Sequence, residues 1–387
     1  MPNRHEATPP LAASAWSQGE DSVCQAVSSA VARLELDHAA LVLVFPDAAV
    51  APEEVLGQAR AAAPQCRIAG MTSEGLITAE GVRSKGCAAI AFGSEAIVGI
   101  GAATDASHDL RAAGRAAAEA AIADVDLRPG HGVLLIFVDP DSGDEADAID
   151  GAYAAAGAQV PLAGGGANGD APVLFADELA ASDAVVAVAI GSAAPIAVGM
   201  AHGCRPRSSP AIATRTEGRA LLELNGRPAE AVYLEGLDWP GVALDDDDFE
   251  SLAILHPLAQ PELRGVPRLR HVRGRATGGG LACATPIPPN AAVWFTEQSQ
   301  QTIVESAADA VHEALGPLPG GARAGLVFDC AARKRAVGSR LTEEAESLLS
   351  AFGDTAAVTG LYTRGEVGRT RGAKGDRNHA VVVVAFG

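Results

Sequence analysis

The residues best suited to chemistry lie where short apolar runs give way to polar loops. Cys330 stands at the end of the apolar run 325–328, after Asp329, and precedes Arg333, Lys334 and Arg335. Cations near a thiol lower its pKa and raise its thiolate fraction. The same place equally suits a small hydrophobe packed at a strand end. A nucleophilic thiol needs a fixed base, and Glu366 and His379 are the candidates in that part of the chain. Thr72, Ser73 and Glu74 set two hydroxyls beside a carboxylate. Ser73 lacks a tied histidine and a Gly-x-Ser-x-Gly elbow, so the group reads as polar ligand contacts or as turn-stabilising hydroxyls.

Gly164, Gly165 and Gly166, with Asn168 and Gly169, spell G-x-G-x-x-G. A dinucleotide loop needs a helix starting inside the motif, and Asp170-Ala-Pro172 leads elsewhere. Two readings remain: a tight turn requiring positive φ and close backbone approach, or a loop whose exposed amides receive a small ligand. Asp139, Asp141, Asp144, Glu145 and Asp147 offer oxygen ligands for Mg²⁺ or Ca²⁺. Their spacing is not that of an EF-hand, and helix N-terminal acids account for most of them. Arg264, Arg268, Arg270, Arg273 and Arg275 form a basic run, and a second lies in 364–377. Either suits a small anion or a solvated face.

The elements that position these residues repeat. The glycine turn at 160–170 has echoes at 67–75, with Gly70, and at 358–366, with Arg364, Gly365 and Glu366. Each copy follows an expected helix and leads through a polar loop to an apolar strand. Periodicity predicts helices over 21–34, 109–123, 298–314 and 342–352, and strands over 39–45, 86–92, 132–138, 184–190, 196–201, 325–328 and 380–386. The fold class expected is α/β (mixed α+β): two domains of mixed β-sheets flanked by helices, built from repeated strand–helix–strand–strand units. Residues 1–20 are expected to be disordered, with domains over 21–210 and 218–387 and a linker near 204–218. The four acids at 245–248 read as a solvated loop.

A net charge of −19 opposes binding to nucleic acid and anionic membranes. Gly191, Ser192 and Pro195 interrupt the apolar stretch 184–201, so no membrane span is expected. Six dispersed cysteines without a CxxC pair read as reduced thiols in a cytoplasmic protein. No cofactor or metal is expected.

The chain resembles the FIST family over about 38–387. The likeness rests on 42–47, Gly70-Met-Thr-Ser-Glu-Gly75, 134–139, 162–168 and Leu224-Asn-Gly-Arg-Pro-Ala229. Its most specific part is Gly325-Leu-Val-Phe-Asp-Cys330 with Arg333, followed by Gly360-Leu-Tyr-Thr-Arg-Gly-Glu-Val-Gly368. Ala332 stands where members often have glycine. The resemblance implies an intracellular sensory or signal-transduction module that binds a small molecule such as an amino acid. It carries over no catalytic residues.

The expected site is therefore a cleft lined by the glycine-bearing loops, with a small ligand and a signalling protein as partners. Candidate ligand contacts are Gly70, Thr72, Ser73, Glu74, Gly164, Gly165, Gly166, Asn168, Cys330, Arg333, Arg364, Gly365 and Glu366. The glycine amides with Arg333 or Arg364 would take a carboxylate, and Glu74 or Glu366 an ammonium. A protein scaffold and an enzyme using Cys330 are the alternatives.

Overall fold

The computed structural model describes residues 10–36, 38–262, 266–370 and 374–387. A first unit runs β1 (Ala12–Ser17), α1 (Ser22–Ala32), β2 (Leu41–Pro46), α2 (Pro52–Ala62), β3 (Arg67–Met71), β4 (Leu76–Thr78), β5 (Gly81–Arg83) and β6 (Cys87–Phe92). The second repeats this order as β7 (Ile97–Thr104), α3 (Leu110–Ile122), β8 (Gly132–Val138), α4 (Glu145–Ala156), β9 (Leu162–Gly166), β10 (Leu174–Ala176), β11 (Leu179–Ala181) and β12 (Ala184–Gly191).

The third unit opens with β13 (Ile196–Ala201) and is interrupted by an insertion. The insertion holds β14 (Arg205–Pro206), β15 (Ala211–Glu217), β16 (Ala220–Leu224), β17 (Arg227–Pro228), α5 (Ala229–Gly236) and α6 (Asp246–Ala253). It closes with β18 (Leu258–Gln260), β19 (Arg268–Arg270), β20 (Val272–Ala276), β21 (Gly280–Cys283) and β22 (Ala292–Glu297). The unit then resumes through α7 (Gln300–Leu315), β23 (Ala324–Cys330), α8 (Ala331–Val337), α9 (Leu341–Phe352), β24 (Ala357–Thr363), β25 (Glu366–Arg369), β26 (Asp376–Arg377) and β27 (Val381–Phe386).

Three six-stranded mixed sheets result, ordered β1-β6-β2-β3-β10-β11, β7-β12-β8-β9-β25-β26 and β13-β27-β23-β24-β4-β5. Each takes four strands from its own unit and a two-stranded hairpin from another. The exchange is cyclic: the second unit's hairpin completes the first sheet, the third's completes the second, and the first's completes the third. The boundary expected near 210–218 thus falls inside the third unit, where β13 before it pairs with β27 at the chain's end.

Strand alternation explains the layers. Leu41, Leu43 and Phe45 of β2 point to a central core shared by all three sheets, while Val42 and Val44 pack under α1 and α2. In β8, Val133, Leu135 and Phe137 face the centre and Leu134, Ile136 and Val138 face α3 and α4. Phe45, Phe137 and Phe328 occupy one register position in the three units and meet at the middle. Their ring centroids lie 6.3 Å apart for Phe45–Phe137 and 6.1 Å for Phe137–Phe328.

The glycines of the repeated turn are explained by the same register. Gly70, Gly164 and Gly360 lie in parallel pairing opposite Val44, Ile136 and Val327. A Cβ on Gly70 would sit 1.8 Å from the Val44 carbonyl oxygen, and one on Gly164 would sit 2.1 Å from that of Ile136. Glycine is there so that neighbouring backbones can touch.

Several expectations are corrected. Ala12–Ser17 is a strand paired antiparallel to β6, not a disordered tail, and residues 1–9 lie outside the described residues. Its alanines and serines carry too little periodic signal, and pairing to β6 holds it. The stretch 204–218 contains β14 and β15 rather than a linker. Asp245 caps α6 through the Asp248 N–H, and the next three acids sit in its first turn, where the helix dipole favours them.

Candidate functional site

The three units end their second strand with an inward residue two positions beyond the central phenylalanine. These residues are Asp47, Asp139 and Cys330. The Asp47 carboxylate accepts the Ala49 N–H and the Gly86 N–H. Asp139 does the same with Asp141 at 2.9 Å and Asp183 at 2.6 Å. Cys330 sulfur accepts the Ala332 N–H and, at 3.3 Å, the His379 N–H. Gly86, Asp183 and His379 share a left-handed backbone, with φ of 100°, 45° and 52°. The structure thus puts a thiol where two of three units hold a carboxylate.

A second exchange touches the first. In strand pairing, Glu366 faces Gly165 as Leu174 faces Met71 and Leu76 faces Leu361. Two buried leucines are therefore matched by a glutamate with no exposed surface. Its carboxyl lies against the Cys330 thiol, accepts the Ala380 N–H at 3.3 Å and bonds the Thr363 hydroxyl at 3.1 Å. Burial, opposed by the Cys330 contact, pushes the Glu366 carboxyl well above the usual range. Burial and then the Glu366 charge push the Cys330 thiol well up, against the two amides.

Cys330 forms part of the floor of a cavity of about 180 Å³ between the third unit, the start of α4 and the insertion. Arg219, Arg273, Arg335 and Arg364 surround it, with Glu145, His271, Thr285 and Asn378 in its wall. Arg219 donates to the Gly143 carbonyl, Arg335 pairs with Glu250 at 2.7 Å, and Arg364 pairs with Asp141 at 3.0 Å. Arg273 makes no hydrogen bond or ion pair with another described residue. Its pKa is lowered by burial and then by Arg219 and Arg364. Glu145 is 6% exposed, and its Oε1 is buried without a partner. Burial and then Glu366 raise its pKa well above the usual range.

Behind the cavity, His379 Nε2 lies 2.8 Å from His271 Nδ1, and His379 Nδ1 lies 3.3 Å from Gln298 Nε2. Burial depresses His271 to about 4 and His379 well below the ordinary value.

The expected contacts are divided by the fold. Cys330, Arg364 and Gly365 line the cavity, and Glu366 stands behind Cys330. Ser73 and Glu74 border a separate open groove with Asp47, Lys85 and Asp170. Gly70 is packed on β2. Thr72 is buried, its hydroxyl accepting the Val173 N–H at 3.1 Å. Gly164 and Gly165 pair within the sheet, and the Gly166 N–H is taken by the Gly365 carbonyl at 3.0 Å. Asn168 is buried, and its Oδ1 accepts the Gly169 N–H. The strand-end turns do meet, but they close on one another: Asn168 N–H donates to Thr72 O, and Tyr362 N–H donates to Gly75 O.

Arg333 points away from the cavity into the core, paired with Asp329 at 2.9 Å and Glu344 at 2.6 Å. It does not activate the thiol, because two carboxyl groups already absorb its charge. The acidic group after β8 is likewise dispersed: Asp139 accepts backbone amides, Asp141 pairs with Arg364, and Asp144 caps α4. Among the described residues no group of three or more His, Cys, Asp or Glu could hold a metal ion.

Sequence reasoning missed Arg219 and His271 as site residues, since the insertion brings them in, and named Arg335 only as a cation following Cys330. The basic run did mark Arg273. Of that run Arg268 and Arg270 pair with Asp376, Arg275 pairs with Glu230, and Arg264 lies outside the described residues.

The FIST N domain matches residues 40–227 and the FIST C domain residues 229–369. The chain belongs to the FIST family, whose domains are associated with sensory and signal-transduction roles. Two uncharacterized proteins of Mycobacterium tuberculosis, from strains CDC 1551 / Oshkosh and ATCC 25618 / H37Rv, are 27% identical over 217 residues. That region is 54% of this chain and 55% of each relative, so the chain spans about half the length of the curated relatives it matches. A crystal structure of cyanuic acid hydrolase from A. caulinodans aligns with 97% of this chain and 99% of that one, at 12% identity and a TM-score of 0.39. No helix among the described residues is long and apolar enough to cross a membrane.

Proposed function

We propose that the cavity beside Cys330 receives a small carboxylate ligand, an amino acid or small organic acid, and that the chain is an intracellular sensory module reporting its occupancy to a partner protein. One observation carries this reading. In a protein of net charge −19, four guanidinium groups border one cavity, and Arg273 has no partner among the described residues. The Arg273 side chain is exposed at the edge of the cavity, so its guanidinium stays open to an incoming anion. Planar guanidinium forks suit carboxylate oxygens, and charge-assisted bonds of this kind contribute about 1.5–3 kcal/mol each. The wall also offers Thr285 and Asn378 as neutral polar groups, with Glu145 as an acceptor or donor for an amino or amide group.

The test is a thermal-shift and calorimetric screen of amino acids and small mono- and dicarboxylates. Binding is expected to raise the melting temperature in proportion to the logarithm of ligand concentration and to weaken in Arg273→Ala. A panel that leaves the melting temperature unchanged at millimolar concentrations would remove the basis of the reading.

A further inference from the structure

The three units supply an internal comparison. Wherever the fold alone decides, the second strand ends in aspartate and the swapped hairpin begins in leucine, at Asp47 with Leu76 and at Asp139 with Leu174. Only the third unit has Cys330 and Glu366, and it alone places histidine, a side chain strained at positive φ, where the others have Gly86 and Asp183. Three exchanges in mutual contact, at positions whose structural role two other units fill without them, call for a different explanation. Cys330 lines one cavity with Glu366 and His379 directly behind it, and Glu145 in the cavity wall has a buried oxygen with no partner.

From this juxtaposition we infer that the cavity is a hydrolytic site, in which Cys330 sulfur attacks the carbonyl carbon of a small carboxylate-bearing amide or ester and Glu145 protonates the leaving group. The inference rests on the reading that the cavity takes small carboxylates, with Arg273 and its neighbours holding the substrate's carboxylate. The Ala332 and His379 amides that converge on sulfur stand where their counterparts hold a carboxylate anion, so they suit a thiolate.

The atoms balance as follows. Glu366 takes the thiol proton as the S–C bond forms. Glu145, whose proton is favoured by burial and by the neighbouring Glu366 carboxylate, gives it to the departing amine or alcohol as the C–N or C–O bond breaks, leaving a thioester on Cys330. Water then gives one proton to Glu145 while its oxygen bonds the acyl carbon. The C–S bond breaks, and sulfur recovers its proton from Glu366. The sum is amide or ester plus water giving acid plus amine or alcohol, with both carboxyl groups restored. Cys330, Glu145 and Glu366 are the catalytic residues: nucleophile, general acid and the base that takes the thiol proton.

The test uses the full chain with malonamate, succinamate and glutaramate, and with the trifluoroethyl monoester of succinate. Wild-type protein is expected to release ammonia from at least one amide and to carry an acyl mass on the Cys330 peptide after acid quench of the ester reaction. Cys330→Ala should lose both while keeping the thermal shift with the corresponding dicarboxylate. Glu145→Gln should slow amide cleavage about a hundred-fold. With the ester, whose leaving group needs less help, it should accumulate the acyl-enzyme. Glu366→Gln should lose turnover and move the pH profile of Cys330 alkylation by iodoacetamide downward, because the carboxylate beside the thiol is gone. The double variant Cys330→Asp, Glu366→Leu copies the other two units, so it should fold and bind without turning over. Dicarboxylate binding with neither ammonia release nor acyl mass overturns the hydrolytic inference and leaves the ligand reading standing. Absence of binding and turnover together overturns both, and turnover that survives in Cys330→Ala overturns the assignment of the nucleophile.

Discussion

Arg333→Met removes a fully buried cation and gives the sharpest test of how the third unit is held together. The guanidinium donates to Asp329 at 2.9 Å, to Glu344 at 2.6 Å, to Ser306 Oγ at 3.0 Å and to the Ile303 carbonyl at 3.1 Å. None of the three charged side chains exceeds 1% exposure. One cation serves two carboxyl groups, and burial with Asp329 nearby raises Glu344 to about 8 even with the arginine in place. Removing one partner of a buried ion pair costs about 3–5 kcal/mol, because the other charge is left without compensation. Unfolding entropy of about 2.1 cal/mol/K per residue turns that into a fall of about 4–6 °C for a 387-residue chain that unfolds cooperatively.

The pH dependence has a definite sign. Without the arginine, both carboxyl groups hold protons in the fold to higher pH than in the unfolded chain. Such groups contribute stability below their unfolded pKa and lose it as pH rises through the folded value. The deficit of Arg333→Met should therefore be largest near pH 8 and shrink towards pH 5. Urea titrations of variant and wild type at both pH values measure it. The triple variant with Asp329→Asn and Glu344→Leu should recover most of the loss. A deficit under about 1 kcal/mol at pH 8, or one that grows towards acid, refutes the argument and would return Arg333 to the list of ligand contacts.

Other consequences are as direct. His202 and His271 are depressed to about 4, both chiefly by burial and then by Arg333 and Arg273 respectively. The unfolded chain protonates them below about 6.5, so stability present above that pH should fall by about 1 kcal/mol per histidine at pH 5.5, read from melting curves. Gly164→Ala would drive a Cβ to 2.1 Å from the Ile136 carbonyl oxygen at φ 135°, and should cost about 3 kcal/mol or more in chemical denaturation. Gly57→Ala, on an open face of α2, should instead stabilise by about 0.5–1 kcal/mol. Arg273→Ala should change stability by no more than about 0.5 kcal/mol yet weaken carboxylate binding about ten- to a hundred-fold in calorimetry.

Much of the architecture was legible in the sequence because it is written in local periodicity. The continuous apolar runs at Leu41–Pro46, Gly132–Val138 and Ala324–Cys330 are strands buried on both faces. The recurring glycine turn announced three units, and its glycines serve close backbone approach, one of the two readings open from sequence. What did not show was β1, whose small side chains carry little pattern, and α8, which begins directly after Cys330. Arg333 illustrates the limit for the site. Its spacing from Cys330 suggested an activating cation, yet a partner eleven residues further on, Glu344, turns it into the core.

The sequence by itself determined the local elements, the repetition and the chemistry available in the third turn, since strand alternation and glycine turns depend on neighbours along the chain. The tertiary structure decided which chemistry meets. Parallel pairing of β23 with β24 sets Thr363 beside Cys330, and Glu366 three residues on then lies against the thiol. The insertion carries Arg219, His271 and Arg273 to a strand end more than fifty residues away in sequence. Contacts made by pairing between units leave no trace in spacing, because each partner obeys only the period of its own strand.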